Sequence, residues 1–225
     1  MYKQLELIYE NPLASPEDVK DFRMEGEGVT SFPKGKLRME NGMDPQEGQS
    51  SNFVFWCDQF FPDNIEISWN FMPIREPGLC ILFFSALGKM GEDIFDPGLK
   101  IRKGPYGEYN NSDINAYHIS YFRRRYPVER EFHTCNLRKS CGHHLVKLGP
   151  DPLPSVEDAV GPYTIKIVKS GPHIVFYIND MEIFHWVDDN ETYGPILKGG
   201  KIGFRQMAPL MAEYENLKVH TIEWL

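Results

Sequence analysis

Apolar and polar positions along this chain alternate mostly with a period of two. Ile65, Ile67, Trp69 and Phe71 are interleaved with Glu66, Ser68 and Asn70. That spacing predicts a strand with one buried face. Leu79-Cys-Ile-Leu-Phe-Phe84 is continuously apolar, which predicts a central strand covered on both sides. Near the C-terminus, Tyr163–Lys169, His173–Ile178 and Met181–Trp186 are separated by Ser170-Gly171 and Asn179-Asp180. Turn residues between such runs predict an antiparallel meander joined by hairpins. Asn52–Cys57, Lys201–Gln206 and Asn216–Ile222 read as further strands, and Gly26–Thr30, Lys36–Met39, Cys135–Arg138 and Leu145–Leu148 as shorter ones. Residues 1–50 are otherwise loop-rich, with one helical turn at Ser15-Pro-Glu-Asp18 capped by Ser15. Gly88–Gly107 reads as a long functional loop and Gly149–Pro162 as a surface loop. No helical period lasts more than two turns, and no repeat is present. Many short strands with turns between them predict an all-β sandwich of two antiparallel sheets, in one domain over 1–225.

One strand carries more chemistry than packing needs. Ala116-Tyr-His-Ile-Ser-Tyr-Phe-Arg-Arg-Arg125 holds a histidine, two tyrosines and three arginines. Strict alternation places Ala116, His118, Ser120, Phe122 and Arg124 on one face, and Tyr117, Ile119, Tyr121, Arg123 and Arg125 on the other. This strand is the expected floor of a groove for something polar and anionic. Which face lines the groove is left open by the sequence.

Charge sharpens that expectation. The net charge is −8, which argues against a nucleic-acid binder or a protein held on an anionic membrane. Yet Lys100–Lys147 contains ten basic residues against four acidic ones, so this segment is +6 and the remainder −14. Clustering of one sign points to an acidic ligand. The N-terminal residues lack the apolar centre of a signal peptide, and no run approaches the ~20 apolar residues of a membrane span. Cys57, Cys80, Cys135 and Cys141 have no disulfide-framework spacing. A cytoplasmic protein with free thiols is the simplest expectation.

Gly200-Lys-Ile-Gly203 and Asn216-Leu-Lys-Val219 resemble the last strands of the concanavalin A-like lectin/glucanase fold. A narrower resemblance covers most of the chain. Phe61-Pro-Asp63, Leu82-Phe-Phe-Ser-Ala86, Gly91-Glu-Asp-Ile-Phe-Asp96, Ser120-Tyr-Phe-Arg-Arg124 and Asn136-Leu-Arg-Lys139 resemble the bacterial YesU-like family. That resemblance implies a galectin-like jelly-roll sandwich. It also implies an association with the use of rhamnogalacturonan, an acidic pectin polymer. It carries over no catalytic residue.

Two functions from different classes fit these residues. The first is a lyase or hydrolase acting on uronate-containing oligosaccharides. Elimination needs a cation or amide on the uronate carboxylate and a base near its ring proton. His118, Tyr121 and His133 are the candidate catalytic groups, and Arg102, Arg123, Arg124, Asn136, Arg138 and Arg205 the candidate ligand-binding groups. Arginine suits a carboxylate because it binds it in a bidentate way. Replacing Arg124 by Ala is accordingly expected to weaken ligand binding. For hydrolysis the best carboxylates are in Glu92-Asp93-x-x-Asp96, although they suit loop caps better. The second function is sugar binding without catalysis, with Trp69, Trp186, Tyr177, His185, Arg205 and Gln206 as contributors. No metal or cofactor is expected. Cys135-x5-Cys141-Gly-His143-His144 does not have a zinc-site spacing, and Asp188-Asp-Asn-Glu191 suits a polar turn better than a calcium loop. The expected partner is an acidic oligosaccharide. The oligomeric state is left open.

Overall fold

The structure, a computed structural model, describes residues 1–225. Fifteen strands make up most of it: β1 Tyr2–Asn11, β2 Phe22–Glu25, β3 Gly28–Ser31, β4 Leu37–Asn41, β5 Phe53–Phe61, β6 Ile65–Arg75, β7 Leu79–Gly88, β8 Ile114–Tyr121, β9 Thr134–Ser140, β10 His144–Pro150, β11 Tyr163–Ser170, β12 His173–Ile178, β13 Met181–Val187, β14 Gly200–Met207 and β15 Met211–Trp224. Two short helices, α1 Gly107–Asn110 and α2 Pro127–Glu131, flank β8. One sheet runs β13-β12-β11-β6-β15-β4-β3, with β1 also paired to β15. The other runs β10-β9-β8-β7-β14-β5-β2. Every pairing is antiparallel. The chain is therefore an all-β sandwich of two antiparallel sheets, as the alternation predicts.

The inner faces meet in one large core. Ile65, Ile67, Trp69 and Phe71 of β6 pack against Leu82 and Phe84 of β7, Tyr117, Ile119 and Tyr121 of β8, and Ile202 and Phe204 of β14. The continuously apolar β7 is covered on its other side too. There Leu79, Ile81 and Phe83 join Val54, Trp56, Ile94, Tyr109 and Met207 in a second cluster. Segment 89–113 supplies Ile94 and Tyr109, so the predicted long loop is a cover over part of this outer face. Gly203 sits beneath Trp56, where a Cβ would lie 2.4 Å from the indole. The second glycine of the Gly-x-Ile-Gly motif is thus required by ring packing.

Two expectations are corrected here. Residues 2–11 form a ten-residue strand and not a loop. Most of its side chains are exposed, so it shows no half-buried alternation, and backbone pairing to β15 holds it. The alternation of the arginine-rich strand also ends early. Phe122 adopts a left-handed φ of 48° and turns its ring into the main core. Arg123, not Arg124, then shares a cavity with Ser120.

Candidate functional site

The part of the seven-stranded sheet's outer face that segment 89–113 leaves open is a groove of about 370 Å³, within the size range of small-ligand sites. Ser120 of β8 and Asn136 and Arg138 of β9 form its polar floor, beside Leu79, Ile81 and Met207. Its walls come from Gln49, Tyr106, His143, and the α2 region with Arg123, Tyr126, Val128 and Glu129. Tyr126 is 46% exposed and Val128 58%, so one wall presents an aromatic and an apolar side chain to solvent. Rings of this kind suit the apolar face of a sugar.

The groove holds an excess of positive charge. Arg123 donates to Glu129 at 2.8 Å, to the Thr134 hydroxyl at 2.8 Å and to Asn136 Oδ1 at 3.2 Å. Glu129 is fully committed: its other oxygen accepts from the backbone N–H groups of Arg125 and Tyr126. Arg138 has no carboxylate partner and donates only to the His143 carbonyl at 3.0 Å. Arg205 lies under the wall, fully buried. It donates to the Gly104 carbonyl at 2.6 Å and to Gln49 Oε1 at 3.3 Å, again with no carboxylate. Tyr106 and Tyr109 flank its guanidinium. Gly104 makes this close approach possible: its φ is 117°, and a Cβ there would lie 2.1 Å from the Asn52 carbonyl oxygen. Three guanidinium groups thus face one carboxylate.

Beneath Tyr106 lies His118. Its ring is fully buried on the outer face of β8, 5.0 Å from the Phe83 ring. Its Nε2 is 2.5 Å from the Tyr106 hydroxyl, and its Nδ1 has no partner. Burial holds the imidazole well below its usual pKa, and Arg138, His143 and Arg205 add to the effect. The neutral ring is therefore the folded-state form. Below the ordinary imidazole value near 6.5, the unfolded chain takes up a proton that folded His118 refuses. Its contribution is fully present above that pH and is lost as pH falls. Urea unfolding at pH 7.5 and 5.5 is expected to show a drop of up to about 1.4 kcal/mol per pH unit from this group. His118→Gln should flatten that slope; an unchanged slope counts against the assignment.

The candidate residues named from sequence divide into four sets. Arg123, Asn136 and Arg138 line the groove. His118 and Arg205 sit directly behind it. Tyr121 does not reach it: its ring is in the sandwich interior against Trp69 and Phe71. His133 is exposed outside it. Arg102 lies in a neighbouring depression, bound to Glu25 at 2.7 Å and to the Ile94 carbonyl at 2.6 Å. Arg124 is buried against Asp151 at 2.9 Å. The physical reason for the last two is common: each guanidinium is consumed by a nearby carboxylate and backbone carbonyls, so neither is free for a ligand. Among the proposed stacking residues, Trp69 and Gln206 are buried inside, while Tyr177 and His185 belong to strands of the other sheet. They cannot form one site. Asp93 and Asp96 accept from backbone N–H groups two residues on and cap turns. Tyr106, Gln49 and His143 were not identified as site residues from sequence. Tyr106 and His143 lie within the basic segment, which could have suggested them; Gln49, in the turn Pro45–Ser51, carries no such signal.

Two packed antiparallel sheets with a groove on one outer face define a galectin-like protein. The chain superposes with a TM-score of 0.95 on a crystal structure of a protein of unknown function with galectin-like fold from Bacillus subtilis, at 53% identity over 99% of both chains. The family model described as a domain of unknown function, DUF1961, matches residues 6–219, and the chain belongs to that family. It is 53% identical over 220 residues to YesU of Bacillus subtilis (strain 168), covering 98% of each. The carbohydrate-binding module CBM66 from Bacillus subtilis (12% identity, 91% and 96% covered, TM-score 0.51) and a Bacillus licheniformis β-glucanase (12%, 95% and 97%, TM-score 0.58) share the fold. No helix is long and apolar enough to cross a membrane.

Proposed function

We propose that the outer-face groove binds an acidic oligosaccharide, with Arg138 as the principal anchor of a uronate carboxylate. The observation that carries this reading is the Arg138 guanidinium, which lines the groove without a carboxylate partner. Holding a guanidinium in a partly enclosed site without a counter-ion is costly, and an arriving carboxylate removes that cost. Arg205 adds positive potential from below, and Asn136 and Ser120 offer polar fingers for hydroxyl groups. Tyr106 and Tyr126 provide rings for stacking. Fold neighbours that include a carbohydrate-binding module and a β-glucanase support a sugar as the ligand. The resemblance to the YesU-like family supports a rhamnogalacturonan-derived one. Hydrolysis by two carboxylates finds no support here, because Glu129 is the only carboxylate lining the groove and its oxygens are engaged.

Calorimetric titration with digalacturonate and with a neutral digalactoside tests the reading. The acidic sugar is expected to bind and the neutral one to bind more weakly. Arg138→Met should lower affinity for digalacturonate about tenfold to hundredfold, the value of a hydrogen bond to a charged group. Equal affinity for the two sugars, or no effect of the substitution, would overturn it.

A further inference from the structure

Tyr106 projects over the groove from just ahead of α1, with His118 under its hydroxyl and His143 against its ring edge, 5.3 Å between centroids. His118 has no access to solvent, and its only polar partner is the Tyr106 hydroxyl. A histidine used only to fill the outer face would not need its ring nitrogen 2.5 Å from a phenol that lines the cavity. Phenol and imidazole here form a two-member proton path whose outer end opens on the groove.

We propose that this path serves β-elimination: Tyr106 takes the proton from the carbon next to a uronate carboxylate held by Arg138, and His118 takes the proton that Tyr106 gives up. The proposal rests on the reading of the groove as an acidic-sugar site and assigns it a reaction. The electron pair of the broken C–H bond forms a carbon–carbon double bond. The bond from the neighbouring carbon to the glycosidic oxygen breaks, and its pair leaves on that oxygen. His118 returns its proton to Tyr106, and Tyr106 passes one to the departing oxygen. The products are an unsaturated uronate and a sugar hydroxyl, and no oxidant, reductant or metal is needed.

Burial raises the Tyr106 pKa, while Arg138, Arg205 and Arg123 oppose that rise. The phenol therefore stays protonated at rest and gives up its proton only as it receives another. His118 is neutral at rest and presents a lone pair. Burial and the neighbouring arginines disfavour an imidazolium on His118, so it exists only while the carbanion forms and is discharged when the glycosidic oxygen leaves. Negative charge developing on the uronate carboxylate meets Arg138, the cation without a carboxylate partner. Tyr106 is the catalytic residue in this account, and His118 is a positioning residue that acts through it.

The test uses the full chain with saturated galacturonate and rhamnogalacturonan oligosaccharides. Ultraviolet absorbance of the unsaturated uronate, reducing ends and calorimetric binding are followed in parallel. Wild-type protein is expected to generate the chromophore and new reducing ends together. Tyr106→Phe, which keeps the ring, should lower kcat about 10²-fold or more while KM changes by less than about threefold. His118→Gln should likewise lower kcat at nearly constant KM, a split that loss of packing alone would not produce; melting curves verify that both variants are folded. Binding of the acidic sugar without chromophore overturns the elimination but leaves the groove reading standing. Reducing ends without chromophore, or full activity in Tyr106→Phe, also overturn it. Absence of both binding and product defeats the two readings together.

Discussion

Asp151→Ala is expected to destabilise the fold by about 3–5 kcal/mol, the range for removing one partner of a buried ion pair. Asp151 is fully buried and its partner Arg124 is 2% exposed at the side chain. One Asp151 oxygen accepts from Arg124 at 2.9 Å and from the Arg123 backbone N–H at 3.2 Å; the other accepts from Leu153 N–H at 3.3 Å. Without the carboxylate, the guanidinium keeps only the carbonyls of Arg123 and Leu153. Urea unfolding measures the loss. The double variant Arg124→Met with Asp151→Leu should recover most of it, since apolar isosteres often replace a buried pair at little cost. A single variant as stable as wild type would show that solvent reaches the pair. The pair also matters to the groove. It fixes the turn after Phe122 that sends Arg123 toward Glu129 and Asn136. Loss of sugar binding in Arg124→Ala would therefore come through the fold and not through a lost ligand contact.

Asp188→Ala should produce a loss of similar size at the opposite end of β8. The Asp188 carboxylate accepts from the Tyr117 hydroxyl at 2.5 Å and from Lys139 Nζ at 2.7 Å, and both members of the ion pair are 2% exposed. Its removal leaves an ammonium with only the Gly194 carbonyl and a phenol with no acceptor. Both penalties add: a buried unpaired charge and a buried unsatisfied donor. Asp188→Asn should cost less, because the amide oxygen can still accept from Tyr117. Thermal and urea unfolding of the two variants should rank Ala below Asn; the reverse order would show that the retained acceptor does not stabilise the fold there. Lys139 neighbours Arg138 on β9, so this pin also holds the strand from which the groove's free cation projects. Buried residues that look like binding groups in sequence are, at both ends of β8, struts for residues that face the groove.

The architecture was readable from periodicity. Ile65–Phe71, Leu79–Phe84 and the Tyr163–Trp186 meander bury an area that demands strands, and hairpin turns such as Asn179-Asp180 demand antiparallel neighbours. β1 was not readable, because a strand held by backbone bonds with both faces wet leaves no side-chain signature. Basic clustering between Lys100 and Lys147 was readable too, but of its ten cations only Arg123 and Arg138 line the groove. Which cations are free was not. Arg102, Arg123, Arg124 and Arg138 are the same residue type in one segment, yet Glu25, Glu129 and Asp151 neutralise three of them.

The amino-acid sequence by itself determined the sandwich, because alternation of apolar side chains is a local property that each strand carries in its own residues. Tertiary structure decided the site, because pairing of a cation with a carboxylate depends on partners far along the chain, 77 positions away for Arg102 and Glu25. It also decided that Tyr106, from the covering segment, rests on His118 of the sheet. No spacing along the chain encodes that contact.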